Sequence, residues 1–340
     1  MKPESEEERR AYAALDAGEA ARALKLADTL LRKDPRAPRA HHVRGLALAE
    51  LEQPDAARVA LRQACKLAPT PWEAQLDLAE LLFLDLEDPD GALRLLDEVL
   101  ARRPAPSLSG PAGQLRGEIL LALGDPAAAL AAYEAARHLG PDWDDRVGRA
   151  SALVDLCRFK EAAAALRTGL RQGLALGGEG HFLLGVALER LGDEEAALRH
   201  YRAAAAAEPE QYHVPRRHDP DDFERLVAEA LDALPREVAV ELADVPVLVE
   251  RWPEPEELQL NDPPLSPLIY GMFRGHSLRE RSGSDPWSLI PPQILIYQRN
   301  CELLCRDRAE TLEQIRITVL HEVGHFLGLD EEDLAARGLD

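Results

Sequence analysis

The sequence predicts two regions of different fold class, an all-α array of helix pairs followed by a small α+β domain. Three observations support this: a repeat of about 34 residues in the first part, short strand-like segments after residue 240, and a histidine–glutamate motif near the end. The boundaries that follow are residues 1–211 for the helical array, 212–218 for a linker and 219–340 for the α+β domain.

The repeat is visible in two independent series of residues. Prolines recur at spacings of 34, 35 and 37 residues and then at twice 34, namely Pro35, Pro69, Pro104, Pro141 and Pro209. Small residues follow the same period at Gly45, Ala79, Gly117, Ser151 and Gly185. A second small residue comes 12 positions later each time, at Ala57, Gly91, Ala129, Ala163 and Ala197, and Ala11 and Ala23 extend the series backwards.

This pattern is typical of antiparallel helix pairs. Small residues at one contact point on each helix allow two helices to approach closely. A turn signal such as Gly192-Asp193 reverses the chain between the two small residues, and the proline ends the second helix. About six such pairs fit into residues 1–211, with a longer junction near 102–116.

The last third of the chain loses this period and gains segments with other patterns. We predict an amphipathic helix at 221–234, strands at 245–250, 268–273 and 294–297, and an apolar helix at 311–327 that packs on the strands. A capping box of Thr311 and Gln314 is compatible with the start of that helix. The proline-rich segment 252–264 is expected to lack regular structure, and 274–283 to form a polar loop.

The final predicted helix carries His321, Glu322 and His325 in the order H-E-x-x-H. Residues four apart on a helix lie on one face, so the two imidazoles can bind one Zn²⁺ at about 2.0–2.1 Å. Glu322 is then placed beside the first ligand, where it can accept a proton from a water molecule at the metal. The motif therefore predicts a zinc site with Glu322 as the catalytic base.

A catalytic zinc site needs a third protein ligand. Gly328 fits the end of the helix, where a left-handed residue turns the chain back towards Asp330 and Glu331. Counting from His321, the longer metzincin pattern H-E-x-x-H-x-x-G-x-x-H has its last ligand at Glu331. We therefore predict Glu331 as the third ligand, with Asp330 as the second choice.

Composition restricts the partners and the compartment. The net charge of −21 argues against nucleic acid or an anionic membrane surface as a partner. The sequence has no run of apolar residues long enough to span a membrane, and its first residues do not resemble a signal peptide. The four cysteines are too scattered for a disulfide framework, which indicates the cytoplasm; Cys301 and Cys305 leave a second metal or redox pair open.

Both regions resemble known families. The period of the first region and segments such as 185–201 resemble the tetratricopeptide (TPR) repeat, which implies a solenoid whose groove commonly holds a peptide or partner helix. Segments 230–235, 245–250, 268–271, 294–297 and 321–329 resemble the small bacterial zincin-like metallopeptidase domain, a minimal zincin. Members of that family usually have Asp at the position of Glu331, so this chain differs there by one methylene group.

The resemblance implies a zinc-dependent metallopeptidase whose TPR repeats recruit a peptide or protein client. The alternative is a non-catalytic adaptor or scaffold built on the repeats, with a structural or inactive zinc domain. An intact Glu322 favours the first hypothesis, because a purely structural zinc site needs no general base.

Overall fold

The computed structural model describes residues 5–140, 144–234, 236–242, 245–261, 263–275, 291–327 and 329. The chain divides into two compact units, Met1–Ala152 and Leu153–Asp340. The division falls inside the helical array, so the last helix pairs belong to the same unit as the C-terminal domain. The predicted boundary at residue 211 marks where the repeat pattern ends. The division into units follows spatial contacts and does not test that boundary, which stays a prediction.

The described part of the first unit is helical. Its helices are α1 (Glu6–Asp16), α2 (Ala20–Lys33), α3 (Pro38–Glu50), α4 (Pro54–Leu67), α5 (Trp72–Leu84), α6 (Pro89–Ala101), α7 (Pro106–Ala122), α8 (Pro126–Arg137) and the start of α9 (Arg146–Asp155). The two helices of each pair pack on each other, and α1, α3, α5 and α7 also lie side by side. The first helices of successive pairs therefore form one continuous face, which we call the inner face.

The small residues lie where the pattern predicts close packing. Ala11, Ala23, Ala57, Ala79 and Ala129 are all 0% exposed. A Cβ atom at Gly45 would come within 2.6 Å of Leu61 Cγ, on the second helix of its pair. The same relation joins Gly117 to Tyr133 and Gly185 to Tyr201, so each of these three glycines makes room for a large side chain.

A left-handed residue closes the turn between the two helices of a pair. The φ angles are +69° at Gly18, +57° at Glu52, +75° at Gly124 and +85° at Gly192. Glycine adopts this conformation without steric cost, whereas an L side chain does not. The turn signals in the sequence are therefore explained by backbone geometry.

Replacing Gly192 by alanine is expected to lower the free energy of unfolding by about 1 kcal/mol. No atom lies within 4 Å of a Cβ placed there, so the effect would come from the backbone alone. A lower midpoint in urea denaturation would show it, and Glu52→Gly, at an equivalent turn, should shift the midpoint in the opposite direction. An unchanged midpoint for Gly192→Ala would contradict the assignment of strain to this turn.

The second unit continues the helical array and then changes class. Its helices after α9 are α10 (Phe159–Arg171), α11 (Gly177–Arg190), α12 (Glu194–Ala207), α13 (Pro220–Asp232), α14 (Arg236–Glu241), α15 (Pro255–Leu258), α16 (Gln298–Leu304) and α17 (Arg308–Phe326). Its strands are β1 (Val247–Glu250), β2 (Gly271–Arg274) and β3 (Gln293–Tyr297). The prediction of a helical repeat region followed by a small α+β region is confirmed.

The sheet has the order β1-β3-β2, with β1 parallel and β2 antiparallel to β3. Alternation along β3 points Ile294 and Ile296 to one face, where they pack with Ile315, Val319 and Val323 of α17. All five side chains are 3% exposed or less. The helix with the histidine motif therefore packs on the sheet, as predicted.

Two local predictions are wrong, and two short helices were not predicted. The proline-rich segment contains the short helix α15, because Pro255 occupies the first turn, where its missing N–H costs nothing. Helix α17 begins before Thr311: its N-cap is Asp307, whose side chain accepts from Glu310 N. Helices α14 and α16 are too short to show a period in the sequence. Most of the polar loop predicted at 274–283 lies outside the described residues.

A buried charge network joins the last helix pair to the C-terminal domain inside the second unit. Arg217 forms ion pairs with Glu189 of α11 and with Glu302 of α16, at 3.1 Å for the latter. The two carboxylate side chains are 2% and 0% exposed. Glu189 also accepts from Tyr201, and Glu302 accepts from Gln298, Arg299 and the backbone of His218. The predicted linker thus contributes a cation that pairs with two buried carboxylates.

Candidate metal centre

Helix α17 places the motif at the boundary between the core and the surface. Ile315, Val319, Val323 and Phe326 follow at helical spacing and are all buried against the sheet and α13. This packing fixes the rotation of the helix. Glu322 falls within the buried face, whereas His321 and His325 are half-buried.

The two histidine rings converge as the spacing predicts. His321 Nε2 and His325 Nε2 are 3.0 Å apart. The ring centroids are separated by 4.7 Å, with an angle of 80° between the ring planes. Both imidazoles therefore direct the same type of nitrogen atom towards one point.

This geometry is close to what a shared zinc ion requires. Two nitrogen ligands at about 2.0–2.1 Å from a tetrahedral zinc lie about 3.3 Å from each other. The observed separation of 3.0 Å is near this value, so a small rotation of the rings would admit the ion. Neutral imidazole is also a ligand that zinc prefers. The residues present fit the metal.

Glu322 is oriented by the sheet. Its side chain is buried at 7% exposure, and Oε2 accepts a hydrogen bond of 2.6 Å from the backbone N–H of Phe273 on β2. A hydrogen-bond donor at this distance fixes the plane of the carboxyl group. One oxygen is therefore held by the strand, one residue along the helix from the first histidine.

Gly271 allows β2 to come this close to α17. A Cβ atom there would lie 2.5 Å from the carbonyl oxygen of Leu295 and 2.6 Å from Thr318 Cγ2. Only glycine accommodates both neighbours, because a side chain would force the strand and the helix apart. The position of Phe273 relative to Glu322 therefore depends on a residue that has no side chain.

The third predicted ligand cannot be placed. Glu331 and Asp330 both lie outside the described residues, and within the described ranges no group of three His, Cys, Asp or Glu side chains could hold a metal. The chain does turn back after the helix, since Leu329 N donates to Gly324 O at 3.0 Å. This is the bond of a Schellman motif, and it comes directly before residues 330 and 331.

The second candidate pair in the sequence is buried, with Cys301 within α16 and Cys305 at the C-cap of that helix. Burial raises the pKa of the Cys301 thiol well above its usual value and that of Cys305 to about 12. The thiolate is the form that binds metals and reacts, so this environment disfavours both roles. The cysteines belong to the packing of α16.

Sequence reasoning missed two parts of the site. The N–H of Phe273 leaves no mark in the sequence, because every residue except proline has one. Gly271 carried a signal, a glycine within a strand, which often marks close approach of another backbone.

The fold and the site together define a class: a protein of TPR-like helix pairs joined to a small zincin-like domain. Comparison with protein families agrees. A zincin-like metallopeptidase family model matches residues 242–339. A model of the Psidin N-terminal TPR repeats region matches residues 8–107, and the tetratricopeptide repeat model matches 76–142 and 147–212.

Solved structures resemble the helical part. The structure of Pseudomonas aeruginosa pilF is 16% identical with a TM-score of 0.53, over 66% of this chain and 96% of that one. PilW, a type IV pilus biogenesis factor, is 20% identical with a TM-score of 0.50, over 60% of this chain and 92% of that one. At these identities the likeness shows the fold alone. No curated protein matches the sequence.

The chain therefore carries N-terminal TPR repeats and a C-terminal domain of the zincin-like metallopeptidase family. The resemblance predicted from the sequence is confirmed for both regions.

Proposed function

We propose that this protein is a zinc-dependent peptidase whose TPR repeats recruit a peptide or protein client. The observation that carries the proposal is the convergence of His321 Nε2 and His325 Nε2 to 3.0 Å, with a buried glutamate between them in sequence. The zincin-like family match supports the same chemistry at the level of the family.

In this proposal His321, His325 and Glu331 hold the ion, with Asp330 as the alternative third ligand. Three protein ligands leave one position open, as in catalytic zinc sites. The turn of the chain at Leu329 supports a ligand at 330 or 331, because it follows the helix directly. The half-buried histidines leave the site accessible to a substrate.

Glu322 performs the proton transfers. When bound, zinc supplies a Lewis acid that polarises a peptide carbonyl and acidifies a water molecule. The Glu322 carboxylate takes the proton from the attacking water as the new C–O bond forms. It then delivers that proton to the amine nitrogen as the C–N bond breaks. The N–H of Phe273 keeps the carboxylate oriented during both transfers.

The repeats are assigned the role of recruitment. TPR arrays bind partner proteins on the face formed by the first helices of the pairs, which is continuous in the first unit. The net charge of −21 disfavours nucleic acids and anionic membranes as partners.

A cytoplasmic location fits the chain. None of the described helices has the length and apolar character needed to cross a membrane. All four cysteines are free, and two of them are buried thiols, which is compatible with a reducing compartment.

Bound zinc is the first quantity to measure. Elemental analysis of the natural protein should find about one zinc per chain. Glu331→Ala should lose zinc during dialysis against a chelator at a concentration that the natural protein withstands, whereas Asp330→Ala should retain it. The reverse result for the two variants would make Asp330 the ligand.

Absence of zinc in the natural protein, even after reconstitution with the metal, would remove the peptidase mechanism. The repeats would then be the functional part, and the protein would be an adaptor whose zincin-like domain is inactive. Zinc retained by both Ala variants would instead show that the third ligand lies elsewhere.

A further inference from the structure

A cavity of about 380 Å³ opens on the inner face of the first unit. It is lined by Tyr12 of α1, Arg39 and His42 of α3, Glu73, Leu76 and Asp77 of α5, and Leu108 of α7. We call it the inner-face pocket. Four successive first helices contribute to it, so it lies on the surface where repeats of this kind bind segments of other proteins.

A chain of hydrogen bonds forms the polar wall of the pocket. Tyr12 Oη is 2.8 Å from His42 Nδ1, and His42 Nε2 is hydrogen-bonded to Asp77. The Asp77 carboxylate only accepts, so His42 Nε2 donates to it. Burial raises the pKa of Tyr12 to about 12, which keeps its hydroxyl neutral. His42 is only 8% exposed, so the Asp77 carboxylate is held in place by a buried hydrogen-bond partner.

Negative charge dominates the side of α5 next to the pocket, which carries Glu73, Asp77, Glu80 and Leu84 and which we call the α5 stripe. Glu73, Asp77 and Glu80 follow at spacings of four and three residues, and the helix contains no Lys or Arg. Burial and then the charges of Asp77 and Asp85 raise the pKa of Glu80, so the carboxylates repel one another. One turn further on, Leu84 is 64% exposed. The stripe therefore offers carboxylates next to an apolar side chain.

One arginine, Arg39, lies beside these carboxylates in the lining of the pocket. Its guanidinium lies over the ring of Tyr12, 5.6 Å from the centroid, and also hydrogen-bonds to that side chain. Among the described residues that line the pocket it is the single lysine or arginine. Three carboxylates on one helix stripe therefore face the inner surface with one arginine beside them.

We propose that the inner-face pocket and the α5 stripe form the docking site for a cationic segment of a client protein. A lysine or arginine of that segment lies against Asp77, between Glu73 and Glu80, and an apolar neighbour covers Leu76 or Leu84. Complementary charge selects this partner, because an acidic segment would meet like charges at short distance. The inference deepens the proposed recruitment of a client, but it does not depend on the peptidase chemistry.

Binding can be tested without any cleavage. The full-length protein with Glu322→Gln is titrated into a short fluorescein-labelled peptide of alternating lysine, leucine and serine, and anisotropy is measured. Versions with glutamine or glutamate in place of lysine complete the set. We expect the lysine peptide to bind about tenfold or more tightly than the glutamine peptide, and no detectable binding of the glutamate peptide. Added salt should weaken the lysine complex.

Matched variants separate this site from the general negative charge of the protein. Glu73→Gln with Glu80→Gln should weaken binding of the lysine peptide about tenfold. Asp90→Asn with Glu98→Gln removes the same charge from exposed positions of α6, the second helix of the same pair, and should leave binding within about twofold. Asp77→Asn should also weaken binding, with the helical content unchanged by circular dichroism.

Equal losses for the two double variants would overturn the proposal, since attraction would then depend on net charge alone. Tighter binding of the glutamate peptide would also overturn it, as would dimerisation of the free protein through this face in sedimentation experiments. If the lysine peptide fails to bind while the natural chain retains zinc and cleaves peptides, the docking site is wrong and the peptidase proposal stands. If the lysine peptide binds to a natural chain that holds no zinc, the docking site stands and the peptidase proposal is wrong.

Discussion

Replacing Glu322 by glutamine is expected to reduce peptide hydrolysis by about 10²–10⁴-fold while leaving zinc and fold unchanged. Glutamine is similar in size and still offers an oxygen that can accept from the N–H of Phe273, so the contact with β2 can survive. It cannot take a proton from water. Cleavage of fluorescein-labelled casein and of a mixed peptide library, followed by mass spectrometry, would measure the loss.

Glu313→Gln is the matched control. It makes the same chemical change on the same helix, at an exposed glutamate that pairs with Arg316. Its activity should equal that of the natural protein. Hydrolysis by the Glu322→Gln protein at the natural rate, with zinc still bound, would show that Glu322 is not the base.

Replacing Arg217 by methionine should lower the stability of the second unit by about 2–4 kcal/mol. Methionine keeps the apolar stem but leaves Glu189 and Glu302 without the cation that lies between them, and both carboxylates are almost fully buried. Glu302 keeps the guanidinium of Arg299 at 3.1 Å, whereas Glu189 keeps the neutral hydroxyl of Tyr201, so the larger part of the loss arises at Glu189. Hydrogen–deuterium exchange of peptides from α11 and α16 would measure the effect, as faster exchange in both helices.

An exposed arginine provides the comparison. Arg199 pairs with Glu195 at 2.6 Å, with side chains 60% and 89% exposed, and Arg199→Met should change stability by less than about 0.5 kcal/mol. A second variant, Glu189→Gln in the Arg217→Met protein, should recover part of the loss because it removes one unpaired charge. If Arg217→Met exchanges as slowly as the natural protein, the network does not stabilise the second unit.

The helical array was predictable because its signals are local and repeated. Most repeats contain a small residue at the contact point, a turn signal and a terminating proline, so one ambiguous segment is outweighed by the others. The same reasoning failed for α14, α15 and α16, which contain four to seven residues and show no period. It also placed the start of α17 too late, because Thr311 is a plausible cap and the competing Asp307 is equally compatible with the sequence.

The candidate site also has one part that the sequence predicts and another part that it does not. His321, Glu322 and His325 lie on one helix, so their spacing alone predicts that the two rings converge. The bond from Phe273 N to Glu322 joins residues 49 positions apart and depends on a strand that passes close to the helix at Gly271. No spacing rule gives such a contact. The third ligand stays a prediction at Glu331 or Asp330.

The sequence by itself determined the repeat architecture, the class of the C-terminal domain and the helical pair of histidines, because each depends on residues close together in the chain. The tertiary structure decided which groups meet across the chain. It brought Tyr12, His42 and Asp77 together on the inner face, placed Arg217 between two buried carboxylates, and set β2 against Glu322. These contacts depend on how the helices and strands pack, and local patterns carry no information about which distant residues packing will bring together.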